Sequence, residues 1–189
     1  MSEKSLARDT ATIGLLIALQ IILTRFFPTF QTIRIDFAFV PIAICSMLYG
    51  PIKAGGAAAL GDIIGVILYP SPFPYFPGFT FSAFLSGMIF GLFLYRKPKS
   101  TLRIAMPVVI IFIVKTLGLD TLWILMMASE KIHTLPPSEI INRIELVMPY
   151  RLIHTIMVPV QIVTLSLLWY ALKPLESRFA SVIENIRRM

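Results

Sequence analysis

Apolar residues in this chain are gathered into repeated runs, most of them near the length that crosses a bilayer, and no other feature restricts the fold as strongly. The stretch Ile63–Tyr95, IIGVILYPSPFPYFPGFTFSAFLSGMIFGLFLY, shows the pattern at its sharpest. Two apolar runs flank a loop that sets Pro70, Pro72, Pro74 and Pro77 among Phe73, Tyr75, Phe76 and Phe79. Proline narrows the conformations open to the free chain, so such a loop is partly shaped before a ligand arrives. A preshaped aromatic loop at the mouth of a small helical bundle points to capture of a flat small molecule.

The composition leads to the same class. Of 189 residues, 57% are apolar and 14% charged, against about 25% charged in soluble domains. Mean hydropathy is +0.81. The length holds one domain, residues 1–189, of roughly six spans of about 20 residues each, and leaves none for a soluble catalytic domain. Net charge is +7, but the cations sit at helix ends, where they set topology rather than bind nucleic acid. Cys45 is the one cysteine and lies in an apolar run, as a small buried hydrophobe would. No cleavable signal is expected, because the polar MSEKSLARDT runs straight into a full-length apolar segment.

The predicted fold is an all-α, six-helix membrane bundle. Helix 1 is expected over Thr10–Phe27, capped by Asp9 or Thr10 and stopped near Pro28. Helix 2 (Phe37–Tyr49) is short for a span and ends at Gly50-Pro51; helix 3 covers Ile52–Tyr69 and helix 4 Thr80–Tyr95. Helix 5 is placed at Ile104–Met127 and helix 6 at Pro149–Leu172, with an amphipathic cytosolic tail after Pro174. If the N-terminus is inside, the inner segments hold Lys4, Arg8, Lys53, Arg96, Lys97, Lys99, Arg103, Lys173, Arg178, Arg187 and Arg188. The outer ones hold only Arg25, Arg34, Lys131, Arg143 and Arg151. That bias predicts N-in, C-in. It puts Pro28–Asp36, Pro70–Gly78 and Ala128–Val147 outside.

Several chemistries are missing. There is no GxxxxGK[ST] phosphate loop, no HExxH, no zinc-type Cys/His cluster and no GxSxG. No catalytic residue, cofactor or metal is expected. Ionisable residues at membrane depth are Asp62, Lys115, Asp120, Arg151 and His154, and a charge there costs about 2.5–3.5 kcal/mol on insertion scales. Arg151 and His154, three apart, share a helix face. Asp120 stands five residues past Lys115, which places the two poorly on one α-helical face; whether Asp62 and Lys115 pair with each other is left open by the sequence. Asp120, Arg143 and Arg151 either line an outer cavity and bond a polar ligand or form structural pairs that reach the interface. Tyr75, Phe76, Phe79 and Trp123 either stack on a heterocycle or belong to the interfacial aromatic belt; the prolines favour stacking for Tyr75 and Phe76. Gly14 and Ala18 in GLLIA, and Gly87 and Gly91, have the spacing that lets helices approach closely, within the chain or against a partner.

These residues together resemble a known family. RIDFAFVPIAICSMLYGP (Arg34–Pro51), ALGDIIGVILYP (Ala59–Pro70), YFPGFTFSAFLSGMIFGLFLYRK (Tyr75–Lys97), LGLDTLW (Leu117–Trp123) and MPYRLIHTIMVPVQ (Met148–Gln161) make the chain similar, end to end, to the substrate-binding (S) components of energy-coupling factor (ECF) vitamin transporters, and closest to those for folate. The resemblance implies a multi-pass protein of a bacterial cell membrane, without an ATPase of its own. Such a protein binds one vitamin on the outside and docks on a membrane coupling protein with two ATPase subunits. GLLIA matches the motif that packs against that coupling protein, which assigns docking to Gly14 and Ala18. The substrate-binding set is then Arg34, Tyr75, Phe76, Phe79, Asp120, Trp123, Arg143, Arg151 and His154. One departure stands out. Folate members carry asparagine in a pattern like LGLNTLW where this chain has Asp120, and the added anion suits a ligand rich in N–H donors. The resemblance also extends to members that take other heterocyclic vitamins, so pyridoxine and a hydroxymethylpyrimidine are alternatives to folate. A lipid-modifying membrane enzyme is the alternative from another class, although the paired acidic motifs it would need for Mg²⁺ are missing.

Overall fold

Proline and glycine fix most of the helix ends seen in the computed structural model, which describes residues 3–25, 37–69, 75–97, 100–128, 141–142, 145, 149, 152 and 154–171. The helices are α1 (Glu3–Arg25), α2 (Phe39–Tyr49), α3 (Pro51–Leu68) and α4 (Pro77–Leu94). A long rod follows, made of α5 (Thr101–Ile111), a π-helical stretch (Phe112–Leu119) and α6 (Asp120–Ala128). The last, α7 (His154–Ala171), opens with a 3₁₀ turn. No strand occurs among the described residues.

Five of these segments are long and apolar enough to cross a membrane: Ala7–Thr24, Pro51–Leu68, Pro77–Leu94, Thr101–Met127 and His154–Ala171. The remaining helix, α2, has 11 residues. At 1.5 Å per residue it reaches about 16 Å, roughly half the hydrocarbon thickness.

Three helices start at least three residues earlier than the sequence suggests. Asp9 and Thr10 lie inside α1, because the leading Glu, Lys, Leu, Ala and Arg are good helix formers. Pro77 takes the first position of α4, where its missing N–H costs nothing. Ser100 caps α5 by accepting the Arg103 backbone N–H at 3.3 Å. Gly50 joins α2 to α3 with φ of 84°, which disfavours a side chain, and a Cβ there would also press the Tyr95 ring at 3.3 Å. Most of the predicted outer loops, including 28–36 and 70–74, and the tail after 174 fall outside the described residues.

Lipid is as apolar as leucine, so helices in a membrane gain by fitting closely rather than by escaping water. The closest fit is α3 against α4. A Cβ at Gly87 would stand 2.5 Å from the Ala54 carbonyl oxygen, and one at Gly91 would collide with the Pro51 backbone. The Ser46 hydroxyl of α2 shares its one proton between the Ile42 carbonyl at 2.8 Å and the Gly87 carbonyl at 3.0 Å, a polar tie at the same crossing. Beside it, Phe39, Ala43, Phe90, Leu94, Ile104, Val108 and Leu165 form one buried cluster, and Leu16, Cys45, Ala54 and Ala57 form a second.

Candidate functional site

Alternating helix directions bring six helix ends together. The C-terminal parts of α1 and α3, the N-terminal parts of α2, α4 and α7, and the π stretch with α6 surround a cavity of about 870 Å³. Gln20 and Thr24 line it from α1, Asp62 and Val66 from α3, and Ser86 and Phe90 from α4, where Tyr75 and Phe76 lead in. Phe112, Lys115, Thr116, Asp120 and Met127 line it from the rod, and His154, Met157 and Gln161 from α7. Apolar and aromatic walls with a few polar groups are what small-molecule sites of about 300–1,000 Å³ look like.

The polar groups of this wall are held in two ways. On the rod, Lys115 Nζ lies 2.9 Å from Asp120 Oδ2. The two residues are five apart, and an i→i+5 turn is what a π-helix supplies. The Asp120 backbone N–H donates to the Lys115 carbonyl, and the Thr121 hydroxyl donates to the Thr116 carbonyl at 3.1 Å, with the same spacing. This corrects the expected face separation of Lys115 and Asp120, and it answers the open question of Lys115's partner with Asp120 rather than Asp62. Asp62 is held instead by Thr80, whose hydroxyl donates to Asp62 Oδ2 at 2.7 Å. That donation uses the single Thr80 proton, so the Tyr75 hydroxyl, 2.9 Å away, donates to Thr80 Oγ1.

An aromatic group closes one side. Phe76 meets Phe79 edge-on at 6.2 Å, and the Trp123 ring lies tilted to it at 5.6 Å. Gly78 makes this possible, since a Cβ there would lie 2.5 Å from both the Phe76 and Trp123 rings. The Trp123 indole N–H donates to the Ser82 hydroxyl at 3.0 Å.

Of the residues singled out from sequence, Tyr75, Phe76, Phe79, Asp120 and His154 line the cavity. Trp123 does not; it backs Phe76 from behind, fixed by its bond to Ser82. Arg34, Arg143 and Arg151 lie outside the described residues. Gly14 and Ala18 face outward on α1, and nothing stands within 4 Å of a Cβ built on Gly14. Gln20 is a wall residue that its apolar surroundings concealed. Its side-chain amide donates to the Ala58 carbonyl at 3.1 Å, over the space that Gly61 leaves. A glutamine buried in a lipid-spanning run was the available signal. Among the described residues no His, Cys, Asp and Glu group has the makings of a metal site.

Comparison with known proteins agrees with this geometry. Residues 8–175 match the family described as the substrate-specific component of ECF transporters. The chain is 38% identical over 122 residues to the folate transporter FolT of Clostridium novyi (strain NT), covering 64% of this chain and 70% of that one. It is 30% identical over 121 residues to the folate transporter FolT of Leuconostoc mesenteroides subsp. mesenteroides, covering 64% of this chain and 65%, just under two thirds, of that relative. Its fold matches a crystal structure of FolT bound with folic acid at a TM-score of 0.70 and 31% identity, over 87% of this chain and 93% of that one.

Proposed function

The chain belongs to the family of ECF transporter substrate-specific components, and from that premise we propose that it binds folate at the outer face of a bacterial membrane for ATP-driven uptake. It is a transport component of the membrane and not an enzyme. The observation that carries the folate reading is the likeness, over 93% of its length, to FolT bound with folic acid, at 31% identity. The cavity of about 870 Å³ is large enough for a bicyclic ring with an extended tail.

In this reading Tyr75, Phe76 and Phe79 present rings to the heterocycle, with Trp123 behind them. Asp120 and His154 supply polar contacts. Arg34, Arg143 and Arg151 are proposed, on sequence grounds, as cations for the carboxylates of the tail. The bundle has six membrane helices, with α2 as a short sixth, and both termini in the cytosol. The described cations support that orientation: Lys53, Arg96, Lys97 and Arg103 all belong to helix ends away from the cavity. Energy comes from the partners, a membrane coupling protein and two ATPase subunits. The outward face of α1 at Gly14 and Ala18 is the docking face.

Calorimetric titration of the purified protein with folate is the test. Capture requires a Kd below about 1 μM, near −8 kcal/mol. A second reading, pyridoxine or a hydroxymethylpyrimidine as the vitamin, is favoured by the two carboxylates in the wall. Weak folate binding beside tight binding of either smaller compound would establish that reading instead.

A further inference from the structure

We propose that Asp62 determines ligand specificity: its carboxylate receives the paired N–H donors of the heterocycle, an exocyclic amino group beside a ring N–H. The identity of that heterocycle rests on the folate reading above, and the donor pair is the part of the ligand named here.

Two carboxylates share the cavity wall and are placed unequally. Asp120 has an ammonium group 2.9 Å from Oδ2, so its charge is already compensated. Asp62 has no ion-pair partner among the described residues. Its contact is the neutral Thr80 hydroxyl at 2.7 Å. An anion in apolar surroundings with one neutral donor gains more from further N–H donors than one already paired with a cation. The relay Tyr75–Thr80–Asp62 also fixes the geometry. Thr80 donates to Oδ2, which orients the carboxylate of a residue that lines the cavity. Thr80 and Tyr75 are thus positioning residues, and Asp62 lines the same cavity as the Phe76 and Phe79 rings. A carboxylate is the acceptor whose two oxygens match two parallel N–H donors.

The experiment compares folate, a 2-amino-4-oxopteridine, with aminopterin, its 4-amino analogue, whose ring takes up a proton more readily and then offers a cationic donor pair. Calorimetry on the full chain gives both affinities. In the wild type, aminopterin binding is expected to tighten as the pH falls toward the ring's own protonation, while folate binding changes less. Asp62→Asn is expected to weaken folate by roughly 10- to 100-fold, to weaken aminopterin more, and to abolish the pH effect. Thr80→Val should weaken both ligands equally and by less.

Folate affinity within about threefold of wild type in Asp62→Asn would overturn the proposal while leaving the folate reading intact. So would a Thr80→Val variant that reproduces the whole Asp62→Asn loss, since Asp62 would then serve only to anchor Tyr75. If Asp62→Asn does not yield folded protein, the wild-type pH series decides, and no tightening of aminopterin overturns the proposal. If the wild type binds neither pteridine, the folate reading has failed. The donor-pair role, which names part of a pteridine, then falls with it.

Discussion

Where α3 meets α4, glycine lets backbone lie against backbone; where the rod of α5 and α6 faces the cavity, a π turn brings a lysine and an aspartate together. The first region is dense. A Cβ at Gly87 or Gly91 has nowhere to go, and the Ser46 hydroxyl closes the crossing with a bond to the Gly87 carbonyl. The second region keeps a volume open. Lys115 and Asp120 pair along one rod, and Thr121 turns back to Thr116, so both of these bonds run along the wall rather than across the space. A membrane receptor needs both solutions: a scaffold that cannot shift, and polar groups that stay bonded while leaving room for a ligand.

The largest expected effect comes from breaking the dense region. Gly87→Leu is expected to yield no monodisperse protein, because the new side chain meets the Ala54 carbonyl and the Gly55 backbone rather than a flexible tip. Gly87→Ala should cost about 1–3 kcal/mol, the usual range for overpacking. Size-exclusion profiles and melting midpoints in detergent would check both. An unchanged midpoint for the alanine variant would mean that the two helices can part without loss.

A smaller effect is expected in the open region. Lys115→Met leaves the Asp120 carboxylate buried without its cation. Loss of one partner from a fully buried pair costs about 3–5 kcal/mol. The Lys115 side chain is 30% exposed, so a loss of about 2 kcal/mol is expected here. The double variant Lys115→Met/Asp120→Leu should recover to within about 1 kcal/mol of wild type, since an apolar pair needs no compensation. Failure of the double variant to recover would show that the π stretch itself depends on the ion pair.

The dense region was legible in the sequence and the open one was not. Gly87 and Gly91 announce close approach by spacing alone, and Gly50-Pro51 announces a turn, because both depend on local geometry. Hydropathy likewise marks the spans. The Lys115–Asp120 pair is invisible to a 3.6-residue period, which puts positions five apart on different faces; only the π turn aligns them. Two charges five apart in an apolar run were the one available hint, since each had to find a partner in lipid. The Thr80–Asp62 bond spans eighteen residues and joins two helices, so no local rule reaches it. Trp123 reads as a ring for stacking, yet its indole N–H requires an acceptor, and Ser82 draws it behind Phe76.

The smallest effect on the isolated protein, and the sharpest use of the contrast, lies on the outer face of α1. Gly14 and Ala18 have the same four-residue spacing as Gly87 and Gly91. The environment is reversed: a Cβ on Gly14 meets nothing within 4 Å. If small residues at this spacing mattered only for packing inside the chain, α1 would have no use for them. Gly14→Leu and Ala18→Leu are therefore expected to leave the folate affinity unchanged and not to lower the melting midpoint. Leucine is the better helix former at position 14 by roughly 1 kcal/mol, so a slight rise is the expected direction. Assembly with the coupling protein and its ATPases should weaken, because a leucine holds the helices apart where small residues let them touch. Co-purification of the full transporter, measured beside folate binding by the isolated chain, separates the two properties. Full assembly and uptake in both variants would move the docking face elsewhere on the bundle. A fall in the melting midpoint like that of Gly87→Ala would show that the outer face of α1 is packed within the chain after all.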